Sequence, residues 1–289
     1  MSEPRVPVRK TYKLYVGGAF PRSESGRSYI VTGADGALLA NAALASRKDV
    51  RDAVAAARKA QPDWAGATAY NRGQVLYRVA EMLEDRRAQF ADAIVAGEGV
   101  TRQVADATVG AAVDRWVWYA GWSDKVAQVA GSSNPVAGPY FDFSVPEPTG
   151  VVGILAPQRS SLLGLVSVLA PVLTTGNTAV VIASQAHPLP AVNLGEVLAT
   201  SDLPGGVVNL LTGSTEELAP VLAVHRDVDA LDLAGASPET EPDLERAAAD
   251  NVKRVLRSGG PQADWSAEPT PRRMLAFVEI KTVWHPIGV

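Results

Sequence analysis

The 289-residue chain contains no cysteine. That excludes disulfides, thiolate metal sites and cysteine nucleophiles. Histidine is scarce: His187, His225 and His285 stand far apart, without the close spacing of a metal-ligand set. Several catalytic signatures are missing too. There is no H-E-x-x-H, no G-x-S-x-G, no G-x-G-x-x-G and no G-x-x-x-x-G-K-[ST]. No apolar run reaches membrane-spanning length. The opening MSEPRVPVRKTYK has no apolar signal core, so a cytoplasmic protein is expected. Charge of one sign is not in excess either: 27 Lys and Arg stand against 31 Asp and Glu, a net charge of −4, which gives no face-wide basic surface for nucleic acid.

What is present is a soluble-protein composition, 47% hydrophobic and 20% charged, enough to bury one large core or two modest ones. The most informative stretch runs from Gly150 to Gln185. Val151 to Leu155 is a short apolar run rich in β-branched residues, bounded by Gly150 and by Ala156-Pro157, as a buried parallel strand would be. Ser160 and Ser161 can cap a following helix whose Leu162, Leu165, Val166 and Leu169 share one face. Gly176 ends it, and Thr178 to Ile182 is a second buried strand. A crossover of this length between parallel strands makes a right-handed βαβ unit.

Before that unit the pattern predicts a small hairpin around Gly17-Gly18 and short strands at Tyr29-Ile30-Val31 and Leu38-Leu39-Ala40. Ser46-Arg47-Lys48-Asp49 reads as a capping-box start of a helix that Pro62 ends near Trp64. A second helix follows Tyr70, with Leu76, Val79, Ala80 and Leu83 buried and Phe90 and Ile94 continuing the same face. A third opens at Thr101 and runs towards Val129, its Trp116, Trp118, Tyr119 and Trp122 read as packing. Positions 131 to 139 read as loop, and Tyr140 to Val145 as strand. After Gln185, helices over 190–199, 216–224 and 238–250 alternate with strands at 207–211, 230–233 and 252–256. The result is α/β, a doubly wound Rossmann-like parallel sheet flanked by N-terminal helices. Asp227, Asp229 and Asp232 read as a solvated loop and strand end that would not chelate one ion.

These segments carry a resemblance. Gly150-Val151-Val152-Gly153, Pro157, Gly176-Asn177-Thr178 and Val180-Val181 match the frame of G-V-V-G-x-I-x-P-W-N-F-P and A-G-N-T-V-V-x-K-P-[SA]-E, and Leu203-Pro204-Gly205-Gly206 opens a segment like L-P-x-G-V-x-N-x-V-x-G. The chain therefore resembles the aldehyde dehydrogenase superfamily. The likeness implies a cofactor-type domain over 1–134 and 151–260. It also implies a small β oligomerisation arm, formed by a hairpin and the C-terminal strand, with arm and tail over 135–150 and 272–289. After Leu256 the pattern stops: positions 261–271 form a polar linker where relatives carry a catalytic domain, and Lys281-Thr282-Val283-Trp284 then resembles the family's tail strand.

The residues that carry chemistry in the family are replaced. The asparagine that donates to the oxyanion aligns with Arg159, the neighbouring tryptophan with Gln158, and the general-base glutamate with Arg257, which stays protonated. The lysine and glutamate that hold the adenosine ribose in relatives align with Ala183 and Ala186. Losing two charge-assisted hydrogen bonds costs about two to four decades of affinity. In the pyrophosphate turn Gly235 remains, Ala236 loses a hydroxyl, Ser237 stands at the threonine position, Pro238 removes an N–H at the expected helix start and Glu239 adds a like charge. Pro157, Arg159, Ala183, Ala186, Gly213, Gly235 and Ser237 thus outline a degenerate cleft with no tightly bound cofactor and at most weak NAD(P) binding.

The resemblance implies a non-catalytic, pseudoenzyme unit, like the truncated second unit of two-unit aldehyde dehydrogenases, partnered in a hetero-oligomer with a full-length NAD(P)-dependent enzyme. Tyr140, Phe141 and Phe143 of the arm and Phe277, Val278, Ile280, Thr282, Val283 and Trp284 of the tail are the expected partner-binding residues, the tail strand otherwise being an unpaired apolar edge. Two alternatives stand beside it: a weak nucleotide-binding regulator with Arg159 and Arg257 at the cleft mouth, and a residual NAD(P)-dependent aldehyde oxidoreductase.

Overall fold

The computed structural model describes residues 10–260 and 263–288. Pro261 and Gln262 of the linker, the first nine residues and Val289 lie outside the described residues. Three short strands, β1 (Thr11–Tyr12), β2 (Ser28–Thr32) and β3 (Leu38–Ala43), form a small sheet ordered β1-β3-β2. Five helices follow: α1 (Arg47–Gly66), α2 (Ala69–Asp85), α3 (Arg87–Glu98), α4 (Arg102–Trp122) and α5 (Val126–Ala130). Then come β4 (Ser132–Asn134) and β5 (Tyr140–Pro148). The central alternation is β6 (Val151–Leu155), α6 (Leu163–Thr174), β7 (Thr178–Ile182), α7 (Leu189–Leu198), β8 (Val208–Leu211), α8 (Thr215–Val224), β9 (Ala230–Asp232), α9 (Glu241–Ala249) and β10 (Arg254–Leu256). A short α10 (Arg272–Leu275) leads into β11 (Val278–Pro286).

The central sheet is parallel throughout and ordered β10-β9-β6-β7-β8. Every residue of β6, β7 and β8 is buried, which is what helices on both faces of a parallel sheet require. The chain leaves β6 in one direction towards β7 and β8, and later returns on its other side as β9 and β10. The strand order therefore reverses between β6 and β9, and a crevice opens at their carboxyl ends.

Local rules account for most boundaries. Ser46 accepts hydrogen bonds from the backbone of Lys48 and Asp49, and Asp49 returns one from the Ser46 N–H at 2.8 Å, the expected capping box. Pro62 does not end α1, which runs on to Gly66. The last turn is held because Trp64 is buried and its Nε1 donates to the Leu173 carbonyl at 3.1 Å, offsetting the proline penalty. Phe90 and Ile94 do not continue α2: the backbone breaks at Arg86, and they sit on α3. Thr101 caps α4 as expected, but the helix stops at Trp122 and resumes as α5. Trp116 and Tyr119 are buried, and Trp118 contacts Tyr119 edge-on with ring centroids 4.8 Å apart. Ser160 Oγ accepts from the Gly164 N–H at the start of α6, whereas Ser161 is drawn away to the Glu98 carboxylate.

Four further expectations need correction. Positions 131–139 are not all loop, because β4 pairs with β5 over Ser132–Asn134. The helix expected from Pro238 begins at Glu241, so Pro238 lies in the preceding turn and removes no donor from the helix start. The tail strand does not lack an acceptor: β11 runs antiparallel to β5 over its whole length, the arm expected of hairpin and C-terminal strand, and the sheet order β11-β5-β4 leaves β11 unpaired only along its outer edge among the described residues. Asp229 and Asp232 are not a solvated strand end. Asp232 has no exposed surface, and Asp229 accepts from Arg58 at 2.6 Å and from the Val151 N–H at 2.7 Å.

One helix is unusual in being buried on every face. All twelve residues of α6 are buried, so something must cover the side turned away from the sheet. α4 covers part of it, and Trp265, Met274, Leu275 and Phe277 of the segment after β10 pack into the same core. Asn177 then ties this segment down: its Nδ2 donates to the Phe277 carbonyl at 2.8 Å, while its Oδ1 accepts from the Gly150 N–H at 2.7 Å. The Gly176-Asn177-Thr178 frame thus acts as a structural knot joining β6, β7 and the tail.

Candidate functional site

The crevice at the strand reversal is lined by the turn after β6, Pro157 to Ser160, and by the turn after β9, Ala234 to Pro238. Ser258, Gly260, Ala263 and Trp265 complete a cavity of about 420 Å³. A smaller hollow of about 280 Å³ adjoins it between α8 and α9, sharing Gln158, Gly235 and Ser237. A roomier concavity of about 810 Å³ lies between α2 and α4, away from the strand ends. Position in the fold, and not size, favours the crevice as the candidate site.

Of the seven positions expected in the cleft, four come together there: Pro157, Arg159, Gly235 and Ser237. Ala183 is fully buried at the end of β7, its N–H donating to the Leu211 carbonyl at 2.9 Å. Ala186 is exposed and borders a separate hollow beside Tyr29 and His187. Gly213 forms the turn between β8 and α8 at φ +146°, packed against Ala45, and lines neither cavity of the crevice. Gly235 has its own structural reason. A Cβ there would stand 2.0 Å from the Ala156 carbonyl oxygen, so only glycine lets the two turns approach. Arg257 is not at the mouth as expected: its guanidinium is forked onto Glu245. Arg159 has no ion-pair partner among the described residues.

Gln158 is the residue that sequence reasoning undervalued. Its Nε2 donates to the Ala156 carbonyl at 2.9 Å and its Oε1 accepts from the Gln185 N–H at 3.0 Å. Its own carbonyl accepts from Ser184 Oγ at 2.8 Å. The side chain therefore bridges the turns after β6 and β7 and occupies the polar groups there. A nucleotide ribose at this edge would meet the methyl of Ala186 and donors already engaged. The polar groups at this edge are thus already engaged within the chain.

A second group missed from sequence closes the crevice from outside. Arg115, buried in the middle of α4, donates to the carbonyls of Trp265 and Ala267 at 3.1 and 2.8 Å and to Ser167 Oγ at 2.9 Å. Arg273 on α10 forms an ion pair with the buried Asp232 at the end of β9 and lies over the Trp265 ring, 5.3 Å from its centroid. Burial raises the Asp232 carboxyl above its usual range, opposed by Arg273 and by the Ala234 N–H. Burial likewise lowers Arg115 and pushes the Tyr119 hydroxyl up to about 12. An arginine on the apolar face of α4, at helical spacing from Ala112 and Tyr119, was the available signal for this anchor. No group of acidic, histidine or cysteine residues suited to a metal occurs among the described residues, and no helix among them is long and apolar enough to cross a membrane.

A Rossmann-like sheet with this crevice, flanked by N-terminal helices and a three-stranded arm, defines a dehydrogenase-type cofactor domain. The aldehyde dehydrogenase family model matches residues 20–265, so the chain belongs to that family. It is 32% identical over 262 residues to cytosolic 10-formyltetrahydrofolate dehydrogenase of Xenopus laevis, covering 88% of this chain and 29% of that protein. It is also 32% identical over 258 residues to DhaS of Bacillus subtilis (strain 168), covering 88% of this chain and 51% of that one. Among solved structures, HpcC from Thermus thermophilus matches with a TM-score of 0.82 and 30% identity over 86% of this chain and 48% of that chain. The NAD⁺ complex of an aldehyde dehydrogenase from Bacillus cereus matches with a TM-score of 0.81 and 28% identity, over 85% and 50%. The chain thus spans about a third to a half of the length of these relatives.

Proposed function

We propose that this chain is a non-catalytic aldehyde dehydrogenase-family subunit that assembles with a full-length NAD(P)-dependent aldehyde dehydrogenase and stabilises or positions it. The observation that carries this reading is the segment after β10. Where relatives carry a catalytic domain, a short strap anchored by Arg115 and Arg273 seals α6 and the crevice with Trp265, Met274 and Phe277. The chemistry points the same way. There is no cysteine to attack an aldehyde, and arginines stand at the positions that match the family's oxyanion donor and general base. Gln158 already uses the polar groups at the ribose edge, so NAD(P) binding, where it occurs, is weak.

The arm supplies the docking surface. Tyr140, Phe141, Ile280 and Trp284 are exposed apolar residues on one small sheet, and Tyr140 packs against Trp284 with centroids 5.7 Å apart. Phe143, Thr282 and Val283 share that sheet, and the outer edge of β11 carries no further strand among the described residues. A partner can extend the sheet there and cover the aromatics. Phe277 and Val278 drop out of the expected set, because both are buried within this chain. Co-purification of the chain with full-length aldehyde dehydrogenases of its source tests the reading. A complex that survives dilution, and is lost on Trp284→Ala with Ile280→Ala, is expected. A chain that ignores such enzymes and oxidises aldehydes by itself overturns it.

A further inference from the structure

We propose that the outer edge of β11 is a self-association edge, at which a second copy of this chain pairs antiparallel across a twofold axis through Thr282. The ladder register fixes which backbone groups are free. The Phe277 carbonyl accepts from the Thr149 N–H at 3.3 Å, and the Ile287 N–H donates to the Pro139 carbonyl at 2.8 Å. Alternation along an antiparallel pair then turns the N–H and C=O groups of Ile280, Thr282 and Trp284 outward. Pro146 opposite Ile280 and Pro148 opposite Val278 agree with this, since neither has an N–H to give β11. Pro286 has none either, so the outward row of donors ends at Trp284. Ile280 is 53% and Trp284 57% exposed, with Thr282 exposed between them. No strand lies on this side among the described residues.

The edge's own side chains select the occupant. Ile280, Thr282 and Trp284 share one face of the sheet. A copy turned about Thr282 sets Ile280 against the second copy's Trp284, Thr282 against its counterpart, and Trp284 against the second copy's Ile280. Aliphatic–aromatic and hydroxyl–hydroxyl pairs of this kind stabilise neighbouring strands. Thr282 is also the outer end of a polar line across the arm. Asn134 Nδ2 donates to Ser144 Oγ at 3.1 Å, and Ser144 Oγ lies 2.8 Å from Thr282 Oγ1. The axis continues that line into the second copy. On the opposite face the same register sets Glu279 against His285 and Lys281 against Val283, so no like charges stand directly opposite. A lysine on an edge strand repels an incoming strand. Here Lys281 is turned back onto Glu147 at 3.0 Å, and Glu279 is forked onto Arg254. Such self-complementarity is what an isologous twofold interface requires. Three edge residues a side fall well short of the roughly 20–30 of a standard interface, so the dimer is weak. The pairing needs nothing but this chain and does not rest on the assembly proposed above. It uses the same edge, so a second copy and a partner enzyme exclude each other there.

The chain has no cysteine, so one introduced thiol reports one position. In this register the two Thr282 Cα atoms stand about 5.5 Å apart, within disulfide reach, whereas the two Ile280 Cα atoms are offset by about 13 Å along the strands. Sedimentation equilibrium of the whole chain should show a concentration-dependent dimer. Thr282→Lys puts like charges across the axis and should weaken it about tenfold or more. Under mild oxidation Thr282→Cys should give a disulfide-linked dimer. Ile280→Cys alone should not, but mixed with Trp284→Cys it should link to that variant. All three positions are exposed, and thermal melts confirm that each variant is folded. A monomer at every concentration, a dimer indifferent to Thr282→Lys, or crosslinking that ignores position overturns the proposal. A chain that stays single yet joins a full-length aldehyde dehydrogenase overturns self-pairing and leaves the assembly reading standing.

Discussion

Arg273→Met is the most informative single change. It removes the counter-charge of Asp232, which has no exposed surface and keeps only the Ala234 N–H, at 3.0 Å, as a donor. Removing one partner of a buried pair costs about 3–5 kcal/mol, and loss of the guanidinium from the Trp265 ring adds about 0.5–1 kcal/mol. A domain of this size has about 5–15 kcal/mol in total, so the variant remains folded but is severely weakened. The deficit also depends on pH, with a defined sign. Burial holds the Asp232 carboxyl above its usual range, so folding favours its protonated form. Stability tied to this group is present below the unfolded value of about 3.9 and is lost as pH rises through the folded value. Without Arg273 that folded value rises further, so the deficit grows towards neutrality. Urea unfolding followed by tryptophan fluorescence at about pH 5 and about pH 8 reads this out. The deficit should be larger at the higher pH, and Asp232→Asn added to Arg273→Met should recover stability to within about 1–2 kcal/mol of the parent. Equal deficits at both pH values, or a double variant no more stable than the single, would refute the buried-pair account.

Gly235→Ala places a Cβ against the Ala156 carbonyl and should destabilise by about 3 kcal/mol or more, read as a lower urea midpoint. Ser46→Ala removes the cap of α1 and should cost about 1–2 kcal/mol in the same assay. Excess NAD or NADP should raise the melting temperature little, because ligand stabilisation grows only with the logarithm of concentration over Kd. A shift of several degrees would show a tighter site than Gln158 and Ala186 allow. Val252→Gly should leave the fold intact and raise stability, since it relieves a left-handed β-branched residue worth about 1–2 kcal/mol before the glycine entropy is counted.

The sequence made the parallel sheet legible because β6 is a continuous apolar run, β7 is one after Thr178, and β8 is interrupted only by the buried Asn209, each between clear turn residues. The capping box at Ser46 and the cap at Thr101 were equally plain, being short-range rules. Boundaries failed where tertiary contacts override local preference: Trp64 carries α1 past Pro62, and the pairing of β4 with β5 draws a strand from a loop-like stretch. At the candidate site, Pro157, Arg159, Gly235 and Ser237 were readable from motif positions. Arg115 with Trp265 and Asp232 with Arg273 were not, because they join residues 150 and 41 positions apart, and nothing local marks such a pair. Gln158 was visible as a substitution, but its bridging role needed the two turns side by side.

The proposed role in assembly, in place of chemistry by this chain alone, is tested most directly by native mass measurement of the chain co-expressed with each full-length aldehyde dehydrogenase of its source. A stable heteromeric mass, lost when Ile280 and Trp284 are both changed to alanine, is the predicted result. A chain recovered only by itself, whose purified form oxidises an aldehyde with NAD(P), would contradict it.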